Sequence, residues 1–155
     1  MEIEQKKALL EEIKEEMICC FLDTGEIDRI ASFFEIMHVP ANTVIFKEGE
    51  PGDFVGFVVS GKLEVKKQTE FKGNQIIVAL LSKGALFGEL SMFDRHYRSA
   101  TVEAVEDTTL VVLKHEALDA LLQQYPPIGI KLLKGFIRIL SLRLRKTTER
   151  LTTIF

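Results

Sequence analysis

A chain of 155 residues that is 46% apolar buries one good core and reads as one domain, with room for an appended helix. Its formal charge of −3 gives no global reason to expect nucleic acid, and no apolar run reaches the ~20 residues of a bilayer span. Cys19 and Cys20 are adjacent and close only a strained ring, so no disulfide framework is implied; with no signal-peptide pattern, the expected compartment is the reducing cytoplasm.

Taken in chain order, Leu9, Leu10, Ile13, Met17 and Ile18 recur at helical spacing among Glu and Lys, which predicts an amphipathic helix from Glu2 to about Phe21. Thr24-Gly25 breaks it, and a short helix is expected from Glu26 to Phe34. His38-Val39-Pro40 then ends helical character, because proline restricts the residue before it and donates no hydrogen bond.

From there the period changes. Val44–Phe46, Phe54–Val59, Lys62–Val65, Gln75–Leu81, Thr101–Val105 and Leu110–Leu113 are short, rich in β-branched and aromatic residues, and separated by Gly-, Pro- and Asn-containing turns. Strands at spacings of about ten residues suggest an antiparallel sandwich or jelly-roll barrel rather than a parallel sheet. Helical period returns over His115–Gln124, on Ala117, Leu118, Leu121 and Leu122, and Pro126-Pro127 stops it. A long helix is expected from Ile128 towards Phe155. The fold class is therefore α+β: N-terminal helices over 1–36, a β-barrel over 37–114, and C-terminal helices over 115–155.

The last helix carries two stripes. Leu132, Phe136 and Ile139 are placed to dock on the barrel, while Leu133, Ile137, Leu140, Leu144, Thr147, Leu151 and Ile154 alternate at spacings of four and three. The second stripe reads as a coiled-coil seam for a second copy of the chain, with burial inside its own domain as the alternative. Lys131 to Phe155 holds seven Lys or Arg against Glu149 alone. These are read as solvated flanks of the seam, so no direct DNA binding is expected.

Catalysis has little support. His38, His96 and His115 form no close pair for a two-His, one-carboxylate metal site, and no nucleophile elbow or Walker-type Gly-Lys-Ser/Thr is present. No metal and no catalytic residue is expected. Residues 87–101, "FGELSMFDRHYRSAT", offer more. Gly88 allows a tight turn into one helical turn whose N–H groups can face an anion, and Arg98 followed by Ser99 presents a guanidinium fork and a hydroxyl to one phosphate. Glu89 suits sugar hydroxyls and would repel a polyphosphate, so a singly charged ring phosphate with a free ribose hydroxyl fits best. The plain alternative is a Glu89–Arg98 ion pair on a rim loop.

Phe87-Gly88-Glu89-Leu90 and, nine residues from Glu89, Arg98-Ser99-Ala100-Thr101 resemble the phosphate-binding cassette of cyclic nucleotide-binding domains. That family includes catabolite activator protein and the regulatory subunits of cAMP-dependent protein kinase. Gly49-Glu50-Pro51-Gly52-Asp53, "FVVSGKLEV" and "LLSKGALFGEL" are similar to its glycine punctuation. The resemblance implies that Glu89 accepts from the ribose 2′-hydroxyl and that Arg98 and Ser99 hold the cyclic phosphate, helped by backbone N–H groups near Leu90, Ser91 and Ala100. It further implies that Val78 and Leu81 wall the sugar and base. "LRLRKTTERL" is similar to the segment in which a hydroxyl pair from two subunits touches adenine, here Thr147 and Thr148, which favours cAMP, with cGMP as second candidate. Ser91 departs from the Ala common in the family, and no helix-turn-helix follows. The resulting expectation is a cAMP sensor that dimerises through its last helix. A scaffold that binds another nucleotide or none is the alternative, with the downstream partner unknown.

Overall fold

The structure, a computed structural model, describes residues 1–15, 22–71, 73–94 and 97–154. Helix α1 spans Glu2–Ile13 and buries Leu10 and Ile13. Met17, Ile18, Cys19, Cys20 and Phe21, expected to continue this helix, lie outside the described residues, as does His96.

Helix α2 is Thr24–Ile30, so Thr24-Gly25 opens a helix rather than breaking one. The cause is a capping box: Asp23 accepts from the Glu26 N–H at 2.8 Å, and Glu26 accepts from the Asp23 N–H at 3.1 Å. A 3-10 turn, Ala31–Phe33, follows. Phe34 then begins strand β1, Phe34–Val39, where the sequence reading had the helix end and a non-strand segment. Its partner decides the outcome: β1 pairs along its whole length with β8, Thr108–Lys114, antiparallel. The sheet thus starts at Phe34, ahead of the expected boundary at 37.

The remaining strands are β2 (Val44–Phe46), β3 (Phe54–Ser60), β4 (Leu63–Gln68), β5 (Gln75–Leu81), β6 (Leu86–Phe87) and β7 (Thr101–Ala104). They form two four-stranded sheets, β1-β8-β3-β6 and β2-β7-β4-β5, with every named pairing antiparallel. The jelly-roll class is as expected. Strand β3 is buried on both faces, which explains its unbroken apolar run. Val55, Phe57 and Val59 face a core shared with the helices, and Val58 faces the core between the sheets. Strand β8 alternates likewise, with Val111 and Leu113 on the helix side and Leu110 and Val112 inside the barrel.

Between β6 and β7 lies α3, Glu89–Asp94, the short helix expected after Gly88. Helices α4, His115–Gln124, and α5, Pro126–Ile154, complete the chain. Pro126-Pro127 does stop α4, but it also starts α5. Proline at the first helical position is tolerated because that N–H has no partner in the helix anyway. Leu132, Phe136 and Ile139 of α5 are buried against the helix-side core, as expected for the docking stripe, and Ile128 joins them. Leu133 is partly buried against the same core. Ile137, Leu144 and Leu151 stand out in solvent at 61%, 68% and 52% exposure, uncovered by their own domain.

Candidate functional site

The segment expected to carry a ligand folds around Arg98. Its backbone N–H donates to the Glu50 carbonyl at 2.7 Å, and its own carbonyl accepts from the Gly49 N–H at 2.8 Å. These bonds tie the segment to the loop between β2 and β3. The side chain is buried, 3% exposed. Its Nη1 donates to the Gly88 carbonyl and to Ser91 Oγ, and Nη2 to the Phe54 carbonyl, each at 3.0 Å. The guanidinium lies 3.9 Å from the Phe46 ring centre and 4.6 Å from that of Phe54.

Nε of Arg98 is buried with no hydrogen-bond partner. Burial pushes the guanidinium below its ordinary pKa, while the charges of Asp53, Glu89 and Glu50 pull it up. A cation held this far from water with neutral acceptors as its hydrogen-bond partners favours negative charge nearby.

Two glycines make the seat possible. A Cβ at Gly52 would stand 2.7 Å from Arg98 Nε and would overlap Ser91 Oγ. At Gly88, with φ +82°, a Cβ would meet Arg98 Nη1 at 2.6 Å. Ser91, the departure from the common Ala, is 2% exposed and serves as one of the acceptors that orient Arg98.

Glu89 is also buried, at 6% exposure, and it pairs with Arg143 of α5 rather than with Arg98. The second nitrogen of Arg143 donates to the Leu86 carbonyl, so one guanidinium clamps α5 to both the turn and the acid. This overturns the reading of the basic residues of α5 as uniform flanks of a seam. Thr147, one turn on, donates to the Arg143 carbonyl at 3.0 Å, and Thr148 to that of Leu144 at 3.0 Å.

These side chains border one cavity of about 620 Å³ between β4, β5, α3 and α5. Val78, Leu81, Phe87, Gly88, Glu89, Leu90, Ser91, Arg98, Ser99, Ala100 and Thr147 all line it. Thr148 does not. Sequence reasoning missed Phe46, Lys67, Leu86, Arg143, Lys146 and Arg150, which line it too. For Arg143, Lys146 and Arg150 a signal was available: with Thr147 they fall at i, i+3, i+4 and i+7, one helix face. Lys67 reaches the Ser99 carbonyl at 2.7 Å and Glu48 at 3.1 Å, a link between strands that spacing cannot foretell. No group of His, Cys, Asp and Glu among the described residues could hold a metal.

A jelly roll with one cavity bordered by a buried arginine and a buried glutamate is a ligand-binding barrel. The family model for the cyclic nucleotide-binding domain matches residues 36–125, and the chain belongs to that family. It is 36% identical over 121 residues to the cyclic AMP receptor protein of Thermus thermophilus, covering 78% of this chain and 54% of that protein. It is 30% identical over 115 residues to the CRP-like cAMP-activated global transcriptional regulator of Mycobacterium tuberculosis, covering 74% and 49%. Among solved structures, a cyclic nucleotide-binding domain from Methylobacillus flagellatus KT superposes with TM-score 0.87 at 28% identity, covering 96% of this chain and 85% of that one. The Thermus thermophilus catabolite activator protein gives 0.77 at 33%, covering 88% and 62%. The chain spans about half the length of the two curated relatives, and no described helix is long and apolar enough to cross a membrane.

Proposed function

We propose that the chain is a cAMP-sensing module that binds its ligand without transforming it and dimerises through α5. The observation that carries this reading is the buried Arg98 side chain lining the same cavity as the buried Glu89. Arg98 and Ser99 hold the cyclic phosphate, and Glu89 accepts from the ribose 2′-hydroxyl. Val78 and Leu81 flank the sugar and base. Thr147 meets the adenine edge, together with Thr148 of the second copy, whose position outside this chain's own cavity suits that role.

The ligand acts through α5. The 2′-hydroxyl has to share Glu89 with Arg143, so occupancy alters the clamp that fixes the helix and thereby the presentation of Ile137, Leu144 and Leu151. The shift is limited to the difference in ligand affinity between the two helix arrangements. The sequences of the Thermus and Mycobacterium relatives, one named as a cyclic AMP receptor and the other as cAMP-activated, favour cAMP over cGMP.

Calorimetric titration of nucleotide-stripped protein with cAMP and cGMP tests the reading. Saturable binding with cAMP the tighter ligand is expected. Absence of heat with both overturns it and promotes the scaffold reading.

A further inference from the structure

The cavity is far more cationic than one cyclic phosphate requires. Lys67, Arg98, Arg143, Lys146 and Arg150 line it, against the single carboxylate of Glu89. Lys67 is engaged by Glu48 and Arg143 by Glu89, and Arg98 awaits the phosphate of the proposed ligand. Lys146 and Arg150 remain as exposed cations on the cavity wall. They stand one turn apart on α5, and Arg150 lies ~10 Å along the helix from Arg143.

We propose that Arg150 and Lys146 form a second phosphate subsite, so that the cavity that seats cAMP also takes, and holds more tightly, a nucleotide bearing two phosphates, of the 3′,5′-linked cyclic dinucleotide class. This rests on the first subsite reading, because the same Arg98 and Glu89 seat one of the two nucleotides. Three observations carry it. Glu89 taken alone repels a second phosphate, but Arg143 is bonded to it and cancels that charge. There is room: a further cavity of about 300 Å³ adjoins the first and shares Leu80, Leu81, Leu86, Arg143 and Lys146 with it, so Lys146 borders both while Arg150 borders the first. Strand β5 carries uncovered apolar surface on the first cavity, with Val78 42% and Leu80 60% exposed, and Leu80 also borders the second, so a second base can lie against it. The chemistry of the first subsite is retained, since a 3′,5′-linked cyclic dinucleotide keeps a free 2′-hydroxyl on each ribose for Glu89.

The test is calorimetry of the full chain, stripped of nucleotide, with cAMP, cyclic di-AMP and cyclic di-GMP at low and high salt. At low salt a cyclic dinucleotide is expected to bind about tenfold more tightly than cAMP and to lose affinity faster as salt rises, because a second ion pair on exposed side chains is screened. The two dinucleotides differ only in base, so their ranking separates base recognition from phosphate recognition. In the Lys146→Gln, Arg150→Gln double variant, with its melting temperature checked, the ratio of dinucleotide to cAMP affinity is expected to fall about tenfold. Binding of cAMP with weaker or absent dinucleotide binding overturns the second subsite and leaves the cAMP reading intact, as does a ratio that the double variant leaves unchanged. Dinucleotide binding without cAMP binding supports the second subsite and replaces cAMP as the ligand. Silence with all three overturns both.

Discussion

Arg98 is held by three neutral acceptors and two rings, so charge alone does not define its part. Arg98→Ala is expected to weaken cAMP binding by about 1.5–3 kcal/mol or more, since a charged hydrogen-bond partner is removed. Arg98→Lys keeps the charge but loses the fork and the stacking, and should recover only a fraction of the affinity; full recovery by titration would show that geometry is irrelevant. Gly52→Ala gives a sharper check. Its methyl intrudes on Ser91 and Arg98 from a neighbouring loop, so affinity should fall although Gly52 offers no side chain to a ligand. Gly52→Ala protein that binds like the parent would mean the loop yields.

At the scale of elements, α5 does two jobs with two faces. Phe136 is 1% exposed and packs 6.0 Å from the Phe57 ring, and Phe136→Ala is expected to cost about 3–5 kcal/mol of stability, measured by denaturant unfolding. Ile137, its neighbour, is 61% exposed. Ile137→Glu should leave folding intact and turn a dimer into a monomer by sedimentation; a monomeric parent would refute the seam. Periodicity made both faces readable, because apolar spacing records which side of a helix is covered. It could not show that the sheet begins at Phe34, where the spacing predicts the end of a helix. That outcome depends on β8, some seventy residues away, and a local pattern holds no record of its partner. The Thr24 start is encoded locally in Asp23 and Glu26, which form a capping box. In the site, Glu89 and Arg98 stood out because Gly88 and Ser99 flank them. The clamp by Arg143 did not, because a basic residue on a helix looks the same whether it faces water or a buried acid.

For the whole molecule, the ligand's seat is built from both sheets, α3 and α5, so occupancy should stabilise the entire fold. A ligand at a hundredfold excess over its Kd contributes about 2.7 kcal/mol, which for a chain of this size corresponds to a Tm increase of ~5–10 °C. Thermal melts of stripped protein with and without cAMP check this, and coincident curves would contradict it. Arg98→Ala protein should show little of the increase at the same ligand concentration.

The bond between Arg143 and Glu89 means that a ligand hydroxyl accepted by Glu89 shares that carboxylate with α5. Apparent affinity is then the intrinsic affinity scaled by the fraction of molecules in which α5 lies in the binding-competent arrangement. The concentration at which the module responds is therefore a property of how firmly α5 lies on the barrel as much as of the groups that touch the nucleotide. Buried positions such as Leu132, which lines neither cavity, become places where the response threshold can be raised or lowered while ligand chemistry stays the same.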